Sequence, residues 1–129
     1  EIDLIVRGIC CLIPGQTYSH NIRVTRIVDT FLEHARIWYF GNGGNPKLFL
    51  GSPDWMRRNL YRRIEAITPI LDPDAKQELI DMLSIQLSDK RKACFVDENL
   101  RNCWKSTHPQ KEKVRSQYTF YEYLKEKTE

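Results

Sequence analysis

The sequence predicts a mixed α/β fold, a sheet flanked by helices, and three observations point to it. Apolar residues alternate along several short segments of the first half, a Gly- and Asn-rich turn joins two of those segments, and helical spacing takes over after Asp72-Pro73. At 129 residues the chain is expected to form one domain. No apolar run approaches the roughly 20 residues that span a bilayer, and no signal peptide is legible. Glu1 leads straight into IDLIVRG, so the sequence reads as a piece cut from a longer protein, the C-terminal piece if Glu129 is a natural end.

The elements follow in order. Ile2, Leu4 and Val6 alternate as a strand that ends at Arg7, before Gly8. A loop through Pro14, Gly15 and Ser19 comes next. Asn21 to Leu32 is β-branched at first and helix-compatible around Asp29 to Leu32. His34, Arg36, Trp38 and Phe40 alternate with Ala35, Ile37 and Tyr39, so the first four share a face. Gly41-Asn42-Gly43-Gly44-Asn45-Pro46 is a turn, and Lys47 to Ser52 a return strand. After a loop over Asp54 to Asn59, alternation of Tyr61, Arg63, Glu65 and Ile67 predicts a further strand that places Arg63 and Glu65 on one face. Asp72 is a helix N-cap with Pro73 at the first helical position. Leu79, Met82, Leu83 and Leu87 then repeat at helical spacing. A last helix is expected from about Lys111, with a stripe of Val114, Tyr118, Tyr121 and Leu124, and both stripes read as core packing.

Charge is placed unevenly. The net charge is only +3, too small to imply nucleic acid. Between His34 and Glu65, however, six Lys/Arg face two acids, and Lys105 to Arg115 is a second basic stretch. Such clusters suit a polyanionic ligand, with a solvated charged face as the alternative. Cys10, Cys11, Cys94 and Cys103 lack paired metal-ligand spacing and read as buried, reduced thiols. A zinc site completed by His20 or His108 is the alternative.

The constellation that bears chemistry is His34 with Arg36, Gly51-Ser52, Arg62, Arg63 and Glu65. Histidine exchanges protons near neutral pH, and guanidinium groups bind phosphate oxygens in bidentate fashion. Small residues at Gly51-Ser52 let a ligand approach the backbone. The same residues loosely echo the phospholipase D signature, with Arg36 in its lysine's place, Asp54 in its asparagine's and its aspartate missing. Arg7 and Arg63 could instead pair with Glu33 or Glu65 as structural ion pairs.

Several motifs in order resemble one family. V-R-G-I-C-C-L-I-P-G (Val6 to Gly15), N-I-R-V (Asn21 to Val24), F-L-E-H-A-R-I (Phe31 to Ile37), N-G-G (Asn42 to Gly44), G-S-P-D-W-M-x-R-N-L (Gly51 to Leu60) and R-R-I-E (Arg62 to Glu65) are similar to the C-terminal domain of the bacterial polyphosphate kinases of the first family. K-A-C-F-V-D (Lys92 to Asp97) and K-V-R-S-Q-Y (Lys113 to Tyr118) resemble its closing region. Pro53 departs from the alanine usual there.

The resemblance implies a phospholipase D-like α/β fold and reversible transfer of the ATP terminal phosphate to inorganic polyphosphate through a phosphohistidine. The nucleophilic histidine of that family lies in the preceding domain, and neither His20 nor His108 matches its motif. What carries over is half a site: His34 as phosphate contact and general acid, Arg7 as ATP-phosphate ligand, and Arg63 on the phosphate path with Glu65 orienting it; Arg36, beside His34, is a further candidate phosphate contact from the residues themselves. The resemblance also implies Mg2+ held by residues outside this chain, and a cytoplasmic homo-oligomer with optional peripheral membrane association. It implies no specific nucleic-acid partner. The isolated chain is then expected to be inactive. A phospholipase D-like phosphodiesterase or nuclease half-site and a non-catalytic polyanion-binding module are the alternatives.

Overall fold

The computed structural model describes residues 1–128 and has the expected mixed α/β character. Its backbone contacts fall into two compact units, a subdivision the sequence does not anticipate. Unit one comprises Glu1–Phe31 and the segment from Ser84 onward, unit two Leu32–Leu83.

Unit one is built on a four-stranded sheet of β1 (Ile2–Ile5), β2 (Ile22–Ile27), β6 (Ala93–Val96) and β7 (Asn102–Trp104), in that spatial order. β1 pairs with β2 in parallel, and the remaining pairs are antiparallel. β2 is a central strand and has the composition for it: Ile22, Val24, Thr25 and Ile27 are β-branched and suit a pleated, packed surface. Val24, Ile27, Ala93 and Val96 are buried and form the unit's core. The β6–β7 hairpin is not foreseen from sequence. Its turn is organised by Asp97, whose Oδ1 accepts from the amides of Asn99 and Arg101 at 2.9 and 2.8 Å, with Leu100 at positive φ.

No helix forms around Asp29 to Leu32. The Asp29 carboxylate, its side chain 1% exposed, is instead gripped by Arg115, which donates from Nη2 and Nε at 2.6 and 2.8 Å. That contact fixes the approach to α3 (Ser116–Thr128), which starts five residues later than expected. Its stripe does not pack as core: Val114 lies before the helix, and Tyr118 and Tyr121 are exposed. The cysteines are free, and none is buried; Cys10 and Cys94 are half-buried, Cys11 and Cys103 exposed. The buried-thiol reading therefore fails. Among the described residues no group of three His, Cys, Asp or Glu could hold a metal, which removes the zinc alternative.

Unit two is an antiparallel meander of β3 (Arg36–Phe40), β4 (Lys47–Gly51) and β5 (Ile67–Pro69). Leu48 is its buried apolar anchor. The β3–β4 turn runs through Asn42, Gly43 and Gly44 at φ of 45°, 61° and 92°, conformations that explain the N-G-G sequence. The strand expected from Tyr61 does not form. Arg57–Arg62 is instead helix α1, and the chain returns to a strand only at Ile67. The segment R-R-N-L-Y-R contains no β-branched residue and includes good helix formers, whereas Ile67 and Thr68 are β-branched. Arg63 and Glu65 consequently sit in the connecting loop and share no strand face.

α2 (Pro73–Ser88) is capped as expected: Asp72 Oδ1 accepts from the amides of Asp74 and Ala75 at 3.1 and 2.8 Å. None of its residues is buried, and Leu87 is exposed, so its stripe is not a core seam in this chain either. Among the described residues no helix is long and apolar enough to cross a membrane.

Candidate functional site

His34 lies two residues before β3, outside the strand, and is exposed. Its backbone is held by Arg36, the first residue of β3. Arg36 Nη1 donates to the His34 carbonyl at 2.5 Å and Nε donates to Asp54 Oδ1 at 3.1 Å. The guanidinium is thus already engaged and charge-matched by Asp54. From sequence, Asp54 is reached through the phospholipase D echo and the G-S-P-D-W-M-x-R-N-L motif.

The β3–β4 register pairs Arg36 with Gly51. That pairing brings His34, Arg36, Gly51 and Ser52 to the wall of one open depression of about 440 Å³, together with Ala66 and Thr68. The histidine and the Gly-Ser of the echo are therefore neighbours in space. Gly51 has a different reason to be glycine from the one expected. A Cβ there would lie 2.8 Å from the Ala66 carbonyl oxygen and 2.9 Å from both Ile67 Cγ1 and Trp38 Cζ3. It permits close packing of β4 against the Ala66 segment and Trp38.

Ser52 and Glu65 fasten the rear of the depression. Ser52 Oγ donates to Glu65 Oε2 at 2.5 Å and accepts from the Ala66 amide at 3.2 Å. The other carboxylate oxygen, Oε1, accepts from Nδ2 of buried Asn59 at 2.6 Å. These donors, Ser52 first and Asn59 second, hold the Glu65 carboxyl below its ordinary range, with a weaker pull from the Arg63 cation. Glu65 therefore does not orient Arg63 through a direct ion pair; it ties α1 to the end of β4. Asn59 is a site residue that sequence reasoning misses, and the signal for it is its place in the G-S-P-D-W-M-x-R-N-L motif.

Arg63 follows α1 in extended backbone and is exposed. Among the described residues, Arg57, Arg58, Arg62 and Arg63 form no ion pair. The charge of this cluster is therefore not compensated by an ion pair among the described residues.

Arg7 belongs to unit one, two residues beyond β1. Its Nη1 donates to the Phe31 carbonyl at 3.0 Å, an oxygen that also accepts from Gln117 Nε2 at 2.7 Å. Gln117 Oε1 in turn accepts from the Phe31 amide at 2.9 Å. Arg7 is thus held by a neutral acceptor, which leaves its positive charge uncompensated by that contact. Gln117 shares the Phe31 carbonyl with Arg7, and its place in the K-V-R-S-Q-Y motif is the sequence signal for it.

Over residues 1–117 the chain matches the family model described as polyphosphate kinase C-terminal domain 2. It is 46% identical over 125 residues to the polyphosphate kinase of Escherichia coli (strain K12), covering 96% of this chain and 18% of that protein. The polyphosphate kinase of Synechocystis sp. is 56% identical over 94 residues, 72% of this chain and 13% of that protein. The crystal structure of polyphosphate kinase from Porphyromonas gingivalis superposes with a TM-score of 0.92 at 56% identity, over 98% of this chain and 19% of that one. The chain spans less than a fifth of the length of these relatives.

Proposed function

This chain belongs to the polyphosphate kinase family, as its C-terminal domain 2, and from that premise we propose that it supplies half of a site for reversible transfer of the ATP terminal phosphate to inorganic polyphosphate. The other half, including a nucleophilic histidine that carries the phosphate, belongs to a preceding domain of a longer polypeptide. That polypeptide works in the cytoplasm as a homo-oligomer.

The observation that supports this reading is an exposed imidazole whose backbone is clamped by an engaged arginine, on a unit whose other arginines carry unspent charge. Phosphoryl transfer needs little covalent chemistry from the protein beyond positioning and charge stabilisation. His34 donates a hydrogen bond to a phosphate oxygen and gives its proton to the departing ADP β-phosphate oxygen as the bond to the γ-phosphorus breaks and the preceding domain's histidine takes up the phosphoryl group. Arg63 binds non-bridging phosphate oxygens on unit two, and Arg7, on unit one, is by itself a candidate ATP-phosphate ligand. Arg36 keeps the His34 backbone in place. Magnesium assists such transfers, but the described residues offer no three-ligand cluster for it, and none of these residue roles runs through the ion.

Binding of long-chain polyphosphate to the protein, wild type against His34→Ala and Arg63→Ala, tests the reading at low and moderate salt. Weaker binding in both variants, each still folded, is the expected result. Binding indifferent to both would make the charge of unit two generic and remove the half-site.

A further inference from the structure

Two basic segments of unit one, distant in sequence, border a second open depression of about 550 Å³. Lys90, from the turn between α2 and β6, lies on one wall, and Lys111 and Lys113, from the stretch before α3, on another. All three lysines are exposed, and among the described residues none forms an ion pair. The one carboxylate on the wall, Glu112, is occupied as the acceptor of Ser106 Oγ at 2.6 Å.

A buried aspartate holds these segments together. Asp89 is 0% exposed. Its Oδ1 accepts from the amides of Arg91 and Lys92 at 2.8 and 2.7 Å, and its Oδ2 from the Ser116 amide at 2.8 Å. The Lys90–Lys92 turn is thereby fastened to the first residue of α3, three residues after Lys113. Gathering like charges opposes folding. The Asp89 clamp is made through backbone amides and not through the ammonium groups of Lys90, Lys111 or Lys113, so its hydrogen bonds do not call for those lysines.

We propose that this depression is a second, non-catalytic binding site for inorganic polyphosphate, held as an extended phosphoanhydride chain. The three ammonium groups neutralise its non-bridging oxygens. Lysine is a mobile point charge that follows a flexible polyanion without fixed geometry, and the released counterions drive the affinity. Single-stranded nucleic acid is the poorer fit, because its binding relies on aromatic platforms and no ring lines the depression. The site rests on the function proposed above: it holds a distal stretch of the same polymer and raises its effective concentration at the reacting end.

The test uses the full-length polyphosphate kinase that carries this chain, comparing wild type with the triple variant Lys90→Gln/Lys111→Gln/Lys113→Gln. Long-chain polyphosphate, a chain of only a few phosphates and single-stranded DNA are titrated over a range of salt, with thermal melts as a folding control. Long-chain affinity falls on the order of tenfold or more, and its log–log salt slope shrinks by about two, as expected for three lost contacts. Short-chain KM and kcat stay unchanged. Glu112→Gln, which keeps an oxygen for Ser106, tightens long-chain binding. Long-chain affinity and slope untouched by the triple variant overturn the inference alone. So does DNA that binds wild type as tightly as polyphosphate and is lost with the same lysines. Wild-type enzyme that binds no polyphosphate at all overturns the proposed function itself.

Discussion

Arg36 and His34 are joined through the backbone: the Arg36 guanidinium donates to the His34 carbonyl at 2.5 Å while its Nε holds Asp54. Two bonds from one planar group fix the entry into β3, and with it the point from which the imidazole projects. A lysine cannot make both contacts in that geometry. Arg36→Lys is therefore expected to lower kcat of the full-length enzyme by about ten- to a hundredfold, the scale of a misplaced catalytic group, while the KM for polyphosphate changes little. A parallel rise in KM would mean that Arg36 binds the polymer itself.

Gly51→Ala tests the packing behind the same depression. The new methyl meets a backbone oxygen at 2.8 Å and two side-chain carbons at 2.9 Å, and the backbone oxygen cannot step aside cheaply. A stability loss of about 1–3 kcal/mol is expected, measured by denaturant titration. An unchanged midpoint would contradict close packing of β4 on the Ala66 segment.

Acid sensitivity should report the Asp29–Arg115 clamp. The hydrogen bonds donated by Arg115 hold the Asp29 carboxyl below its ordinary 3.8, against an opposing push from burial. A carboxyl lowered in the folded state contributes stability that is fully present above its unfolded value and is lost as pH falls through the folded one. Asp29→Asn should thus melt earlier than wild type at neutral pH, and the difference should close below about pH 4 as the wild-type carboxyl takes up its proton. A gap in melting temperature that is constant from pH 7 to pH 3 would contradict this.

What the sequence makes legible, and what it hides, follows from the range of each signal. The segment that holds β2 reads ambiguously, whereas β1 and the β3–β4 hairpin are readable because apolar alternation and the N-G-G turn are local. The Asp72-Pro73 cap is readable for the same reason. The strand expected at Tyr61 fails because a period of two over four residues also fits a short helix of Arg, Asn and Leu. The helical stripes mislead because spacing reports an apolar face without saying whether this chain covers it. Of the site, His34, Arg36 and Ser52 can be found from sequence, but the contacts that set their roles cannot. Asn59 reaches Glu65 across six residues and Arg115 reaches Asp29 across 86; neither pairing leaves a periodic trace. Glu65 consequently reads as a partner of nearby Arg63 when its oxygens belong to Ser52 and Asn59.

Turnover of His34→Ala in the full-length enzyme tests the central claim most directly, as ATP formed from ADP and polyphosphate alongside a thermal melt. His34 is exposed and precedes its strand, so its removal should leave the melting temperature unchanged. Loss of a general acid should cut kcat by about 10²- to 10⁴-fold. Full activity in the variant, or a fall in activity matched by early melting, would contradict a catalytic role for this histidine.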